Sequence, residues 1–360
     1  MTEKEKQLFK ALCKFKEKDF DEALLAHATP TVLGQLFFNR MQGVAYDVLK
    51  TNGLLGKVNR EFRNSLGSAY EQNKEKNHSF FKCINVLSGI LAQIDCKAAM
   101  LKGAILCAYY PEGCRTSNDI DLLVLPSDVT LVGNALTKSG FRQGNVREGE
   151  FVPASRNEII ASKMLRGETV PYIKEVDLPY MKYLEVDINF SLDYKNSDTG
   201  ALSSMLESTI VFAENGIKIP SLNACDFFIH LCAHLCKEAT TLSWVEMHRD
   251  MTLYKYCDIY LLLKELSDET IEKIFARASE LGLSHVCAYA ILEASNLFDI
   301  APGFAQKKSA EILAYDKDFT CRVISPKDQK IFIYKTKSTT ERFFMNERAK
   351  DLEEVSDEKA

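Results

Sequence analysis

From residue 1 to about 95 the apolar positions recur at helical spacing. Leu8, Phe9, Leu12 and Phe15 mark one stripe, and Val32, Leu33, Leu36, Phe37 and Met41 mark a second. A longer stripe runs from Lys57 to Ile94 through Phe62, Leu66, Tyr70, Phe80, Ile84, Leu87, Ile90 and Leu91. Apolar residues three and four apart share one helix face, so this stretch predicts an N-terminal helical region. Thr29 before Pro30 reads as a helix start, and Gly53 and Gly56 punctuate before the long helix. The period then shortens. Lys97 to Leu101 reads as a strand, Gly103 permits a tight turn with exposed amides, and Ala104 to Tyr110 begins a helix. Asp119 to Val124 is an apolar run headed by two acids. In Tyr183 to Phe190, Leu184, Val186, Ile188 and Phe190 alternate with Glu185, Asp187 and Asn189, a half-buried strand with one polar face. Ser127-Asp128 caps a helix from Val129 to Ser139, and Gly140-Phe141-Arg142 leads into another strand. Residues 145–180 read as an irregular excursion with strand-like pieces such as Thr169 to Lys174.

Further on, Ile219 to Leu222 closes an edge element and Asn223 caps a helix. Tyr254 to Leu263 is an apolar helix, and helices at about 267–280 and 283–296 follow as a bundle. Beyond residue 300 the pattern predicts one hairpin (Cys321 to Ile324, Ile331 to Lys335), a charged C-terminal helix, and disorder from Asp351 to Ala360. The expected class is α+β. A small mixed-sheet core at 96–195 is flanked by the helical region 1–95 and a helical bundle at 196–300. Residues 301–360 supply the hairpin and a charged tail.

Composition narrows this picture. At 360 residues and 46% hydrophobic, the chain predicts two or three packed units rather than one small core. A net charge of −5 gives no basic footprint, so general nucleic-acid binding is not expected. The 11 cysteines include no Cys-x-x-Cys pair, and Cys83, Cys107, Cys232 and Cys287 sit singly in apolar contexts, as reduced buried thiols do. No secretory leader and no run of about 20 apolar residues is visible, so a cytoplasmic protein without membrane contact is expected.

The chemistry concentrates at Asp119 and Asp121. On a strand both carboxylates share a face, roughly 7 Å apart. Two bare charges at that spacing repel by about 2 kcal/mol at an effective dielectric of about 20. Magnesium would relieve that repulsion, since it takes one or two carboxylates and keeps its other positions for water and phosphate. Asp187, on the alternating strand, could complete a three-carboxylate site for two ions about 3.5–4 Å apart. Gly103 ahead of a helix start suggests a phosphate cradle. Arg115 could grip phosphate with its forked guanidinium, or could pair with Asp119 or Asp121 to hold its loop. Arg156, Lys163, Arg166 and Lys174 add local positive charge that could face the nucleotide phosphates, although a solvated surface accounts for most of it. His230, His234 and Lys237 share one helix face, while Cys232 and Cys236 lie opposite, a poor geometry for zinc with no acid between the histidines. Asp258, alone among apolar neighbours, reads as paired or functional: an acceptor-side base or a helix anchor.

Leu101-Lys-Gly103, Tyr110-Pro111, Gly113-Cys-Arg115, Ser117-Asn-Asp-Ile-Asp-Leu-Leu-Val124 and Glu185-Val-Asp187 together resemble the nucleotidyltransferase superfamily of the DNA polymerase beta type. The likeness is greatest to its poorly characterised bacterial branch with the signature Leu-Lys-Gly … Arg … Asp-Ile-Asp-Leu-Leu-Val. The match covers roughly 95–195 and continues more loosely to about 295. The resemblance implies that Asp119 and Asp121 bind magnesium and a nucleoside triphosphate, and that Asp187 completes the metal site and activates an acceptor hydroxyl. Two Mg2+ ions are implied, with Mn2+ as a substitute. The superfamily carries Gly-Ser before the acids, whereas Ala104 follows Gly103 here, so phosphate contact passes to backbone amides, Lys102, Ser117 or Arg115. The His-Leu-Cys-x-His segment matches a helix lining the nucleotide cleft, which offers His234 and Lys237 to triphosphate or acceptor; Lys255 and Asp258 match further polar positions. The implied activity is magnesium-dependent transfer of a nucleoside monophosphate from a triphosphate to the hydroxyl of a small-molecule acceptor, releasing pyrophosphate. The alternatives are a toxin-type enzyme modifying RNA or protein, and a nucleotide-binding module without turnover.

Overall fold

The structure is a computed structural model and describes residues 1–15, 17, 19–192 and 199–355. The chain divides into two compact units, one made of Met1–Leu66 with Phe228–Ala360 and the other of Gly67–Phe227. In the first, α1 (Glu3–Cys13) opens on a capping box in which Thr2 and Glu5 exchange hydrogen bonds. Its stripe is buried, with Leu8, Phe9 and Leu12 fully covered. Thr29 caps α2 (Pro30–Phe38), as its hydroxyl beside Pro30 predicts. After α3 (Gln42–Thr51), the long stripe folds as the 32-residue α4 (Arg60–Leu91).

From Gly67 onward, about seven turns, α4 belongs with the second unit. Asn73 donates to the Gly113 carbonyl at 2.9 Å, Ser79 to that of Pro179 at 2.9 Å and Ser88 to that of Lys218 at 2.9 Å. These bonds seat the helix on an eight-stranded mixed sheet, so the α+β class holds. In chain order come β1 (Ala98–Met100), α5 (Gly103–Tyr109), β2 (Asp119–Val124), α6 (Val129–Lys138), β3 (Arg142–Arg147), β4 (Glu150–Pro153), α7 (Arg156–Arg166), β5 (Tyr172–Leu178), β6 (Met181–Asn189), α8 (Thr199–Glu207), β7 (Ile210–Glu214) and β8 (Ile217–Ser221). The strand order is β4-β3-β5-β6-β2-β1-β8-β7. The β2–β6 and β1–β8 pairs are parallel and the rest antiparallel. In β2, Ile120, Leu122, Leu123 and Val124 are wholly buried. A central strand covered on both faces reads as a continuous apolar run, which is why it lacks the alternation of β6.

The second unit departs from the sequence pattern at two places. Residues 145–180 are regular: β3 and β4 form a hairpin, α7 follows, and β5 pairs with β6. The β3–β4 hairpin is largely solvated, so no apolar period marks it, although the Ser155-x-x-Glu158 capping box that starts α7 is plain in the sequence. The Ile219–Leu222 element is not an edge either. β8 lies between β1 and β7, and β7 forms the edge. Pro220 is accommodated because β1 pairs with β8 only at Met100 and Ser221, so no ladder donor is demanded of the proline on that side.

The chain returns to the first unit through α9 (Ala224–Ala239), whose start is capped by Asn223 accepting from the Asp226 amide at 3.0 Å. There follow α10 (Leu242–Glu246), α11 (Leu253–Glu265), α12 (Asp268–Glu280), α13 (Ser284–Phe298) and α14 (Phe304–Ile312). The predicted hairpin forms as β9 (Arg322–Ile324) and β10 (Ile331–Tyr334). After α15 (Thr339–Phe344), β11 (Leu352–Val355) adds a third strand on β10, with Val355 opposite Ile331. Disorder from Asp351 is therefore wrong as far as Val355, and residues 356–360 lie outside the described residues. The strand escapes notice because Leu352-Glu-Glu-Val355 is too short and acidic to show a period. Its stability comes from Val245, Cys321, Val323 and Tyr334 beneath the small sheet. Among the described residues no helix is long and apolar enough to cross a membrane.

Candidate active site

Everything at the site follows from how β2 and β6 lie side by side. They run parallel with Asp119 opposite Glu185, Asp121 opposite Asp187 and Leu123 opposite Asn189. Alternate residues share a face, so Ile120, Leu122, Val186 and Ile188 go to the core, and the acids gather on the other side. The Asn189 amide confirms the shared face by donating to Asp121 Oδ1 at 3.3 Å. Strands in a ladder lie about 4.8 Å apart, at which two ionised carboxylates would repel by about 3 kcal/mol at an effective dielectric of about 20.

The acids differ in how that repulsion is met. Burial works to raise the pKa of Asp119, but the Ser117 hydroxyl, donating at 2.6 Å, with Lys102 and Arg115 nearby, holds it below the ordinary value. Burial, with the charge of Asp119, raises Asp121, although the Lys102 ammonium donates to its Oδ1 at 2.7 Å. Asp187 is raised well above the usual carboxylate range, by burial first and then by Asp121, Asp119 and Glu168. Glu185 is raised by burial and by Asp119. The face therefore holds more negative charge than its own cations neutralise.

The connection from β1 to β2 supplies those cations. Lys102 takes φ 45°, ψ −112°, a conformation sparsely populated for any residue with a side chain and costing about 1–3 kcal/mol. The left-handed backbone thus falls on Lys102 rather than on Gly103. The glycine is needed for a different reason: a Cβ there would stand 2.6 Å from both Cβ and Oγ of Ser117. Gly103→Ala should displace Ser117 from Asp119 and destabilise the fold by about 1–3 kcal/mol, read as a lower midpoint in urea unfolding; an unchanged midpoint would refute the packing account. The phosphate cradle expected of this turn is largely self-occupied, because the amides of Ala104 and Ile105 donate to the carbonyls of Leu101 and Lys102 at 3.2 and 3.0 Å. Arg115 is buried at the mouth of β2 and donates to the Thr116 carbonyl at 2.6 Å. The loop carrying it is fastened to α4 by Asn73, by His78 at 3.1 Å from Glu112, and by Lys76 bonded to Asn118.

The structure thus brings together Asp119, Asp121, Asp187, Lys102, Gly103, Arg115 and Ser117. His234, Lys237 and Asp258 lie in the other unit, the first two on α9 and the third buried on α11. His234 Nε2 is 3.4 Å from the carboxylate of Glu238, which also takes the ammonium of buried Lys255 over the Trp244 ring. Glu185, which the sequence places on the polar face of β6 without a role of its own, joins the acids by standing opposite Asp119. Glu168 carries no sequence signal. It arrives through an isolated bridge to Asn189.

The donors on this face are hard oxygens, which suit magnesium better than zinc or copper. Among the described residues no three His, Cys, Asp or Glu side chains already converge as a metal-holding group. Like charges without a cation between them do not draw together, and one oxygen of Asp121 is taken by Lys102. The oxygen chemistry of these donors suits the ion, and among the described residues they are not drawn into a coordinating group.

No curated protein matches the chain. A family model described as an uncharacterised nucleotidyltransferase matches residues 29–299, most of the chain and all eight strands of the larger sheet. With the paired acids, the lysine turn and that match all on one polypeptide, the chain belongs to this nucleotidyltransferase family.

Proposed function

We propose that this protein transfers a nucleoside monophosphate from a nucleoside triphosphate to a hydroxyl of a small acceptor, releasing pyrophosphate, in the manner of the DNA polymerase beta type. The observation that carries the reading is the parallel register of Asp119 and Asp121 with Glu185 and Asp187, which leaves a face of surplus negative charge. Magnesium, when bound there by Asp119, Asp121 and Asp187, would neutralise charge on the triphosphate and acidify the acceptor hydroxyl. Asp119, held ionised by Ser117, is the standing anionic ligand. Asp187, whose carboxyl burial and its acidic neighbours push above the usual carboxylate range, is the group suited to take the proton of the acceptor hydroxyl. Lys102 and Arg115 offer positive charge to the triphosphate as charge builds on the leaving pyrophosphate. The remaining work is positioning, which the parallel strands and the pinned loop supply.

A net charge of −5 supports a small molecule over nucleic acid as acceptor. The test supplies each α-labelled triphosphate with magnesium to the full chain and cell extract, and identifies the molecule labelled. Label in a small metabolite, dependent on Asp119, is expected. Label in RNA or protein would replace the acceptor class, and no label with any triphosphate would overturn the transfer.

A further inference from the structure

Lys102 is placed at some expense to the fold. Its backbone sits where side chains are rarely tolerated, at φ 45°, directly before α5. The helix behind it approaches Ser117 so closely that only a glycine fits at position 103. What this arrangement delivers is an ammonium on Asp121 Oδ1, with both side chains mostly buried, at 18% and 12% exposure. The same oxygen accepts from Asn189. A magnesium ion on Oδ1, at about 2.1 Å, would need the place the ammonium holds, and one on Oδ2 would still meet that charge across the same carboxylate.

We propose that Lys102 is a built-in counter-ion: in the metal-free protein its ammonium competes with the divalent cation for Asp121, and it turns to the triphosphate when the cation arrives. The inference rests on the nucleotidyl-transfer reading above and assigns Lys102 a role that a phosphate contact alone would not require. The Lys102 charge works against the mutual repulsion of Asp119, Asp121 and Asp187 before substrate binds. A lysine suits the exchange, because its point charge rides on a flexible four-carbon stem that can re-aim without moving the backbone. Cation and nucleotide binding become coupled through it, since the phosphates give the released ammonium a new partner.

The test is equilibrium Mn2+ binding to the full chain without nucleotide, followed by the spin-resonance signal of the free ion. Lys102→Met should bind Mn2+ about tenfold tighter than the wild type, because the competing charge is gone. Lys102→Arg, which keeps the charge, should stay at or below wild-type affinity. Lys102→Gln replaces the methionine variant should thermal unfolding show the latter misfolded. Equal or weaker binding by the charge-removing variant overturns the counter-ion role, as does tighter binding by the arginine variant. The outcome is separable from that of the transfer reading. Tighter binding by Lys102→Met in a protein that transfers no nucleotide would keep the counter-ion and reject the activity. Transfer with unaltered Mn2+ affinity would do the reverse.

Discussion

Asp187→Asn should lower nucleotidyl transfer by roughly a thousandfold or more while making the metal-free protein more stable. Loss of function with gain of stability distinguishes a site residue from a packing residue, whose removal lowers both. Asp187 is raised by burial and by its acidic neighbours, so folding favours its protonated form. A group whose folded pKa lies above its unfolded one contributes stability at low pH and loses it as pH rises through the folded pKa. The wild type without metal should therefore weaken from the acid range upward, and the asparagine variant should escape this. At pH 8 in chelator the advantage should reach about 2 kcal/mol, or roughly 4–8 °C in melting temperature, shrinking towards zero near pH 4. Added magnesium should raise the wild-type melting temperature and leave the variant nearly unmoved. Thermal unfolding with and without chelator at the two pH values decides the matter. A variant that melts below the wild type at pH 8 in chelator would remove the electrostatic basis of the site.

Arg342→Met should be the most damaging single change outside the site. Arg342 is fully buried, donating to Glu293 at 2.8 Å, to the Thr320 carbonyl at 3.0 Å and to the Cys321 sulfur at 3.1 Å, with its guanidinium over the Tyr334 ring. Glu293 accepts a second bond, from Thr339 at 2.7 Å. Nearby, Arg348 grips buried Asp250 through two bonds at 2.7 and 2.8 Å. These pairs tie the C-terminal segment to α13 and to the turn before α11. Removing one partner strands a buried charge, which typically costs about 3–5 kcal/mol, a large part of a whole domain's stability. Burial already pushes Glu293 up, and without its arginine it would rise further. The damage should thus be greater at pH 8 than at pH 5, where Glu293 can take up a proton. Arg342→Met with Glu293→Gln should recover much of the loss, because no bare charge remains. Urea unfolding of the two single variants and the double gives the coupling directly. Additive losses in that cycle would mean that the pair does not act as a unit.

Local chemistry reached a definite depth in this chain. The helical stripes of 1–95, the start of α2 at Thr29 and Pro30, the alternation of β6 and the acid-headed β2 were all legible, because each is written in spacings of two to four residues. So was the placing of two acids at the head of an apolar strand, from which a cation is expected wherever that strand lies. The β3–β4 hairpin and β11 were not legible. Short solvated strands owe their form to partners elsewhere and carry no period of their own.

Which distant groups became neighbours was set by the closing of the fold. Nothing between residues 121 and 185 states that β2 and β6 pair in parallel, and a shift of one residue would have turned Asp187 into the core. The partner of Lys102, the reason for Gly103 and the burial of Arg342 against Glu293 are of the same kind. Hydrophobic periodicity sets which face of an element is buried, and it is blind to what the polar face will meet. That meeting is settled when strands and helices far apart in sequence close on one another, and there the charges of this protein find, or lack, their counterparts.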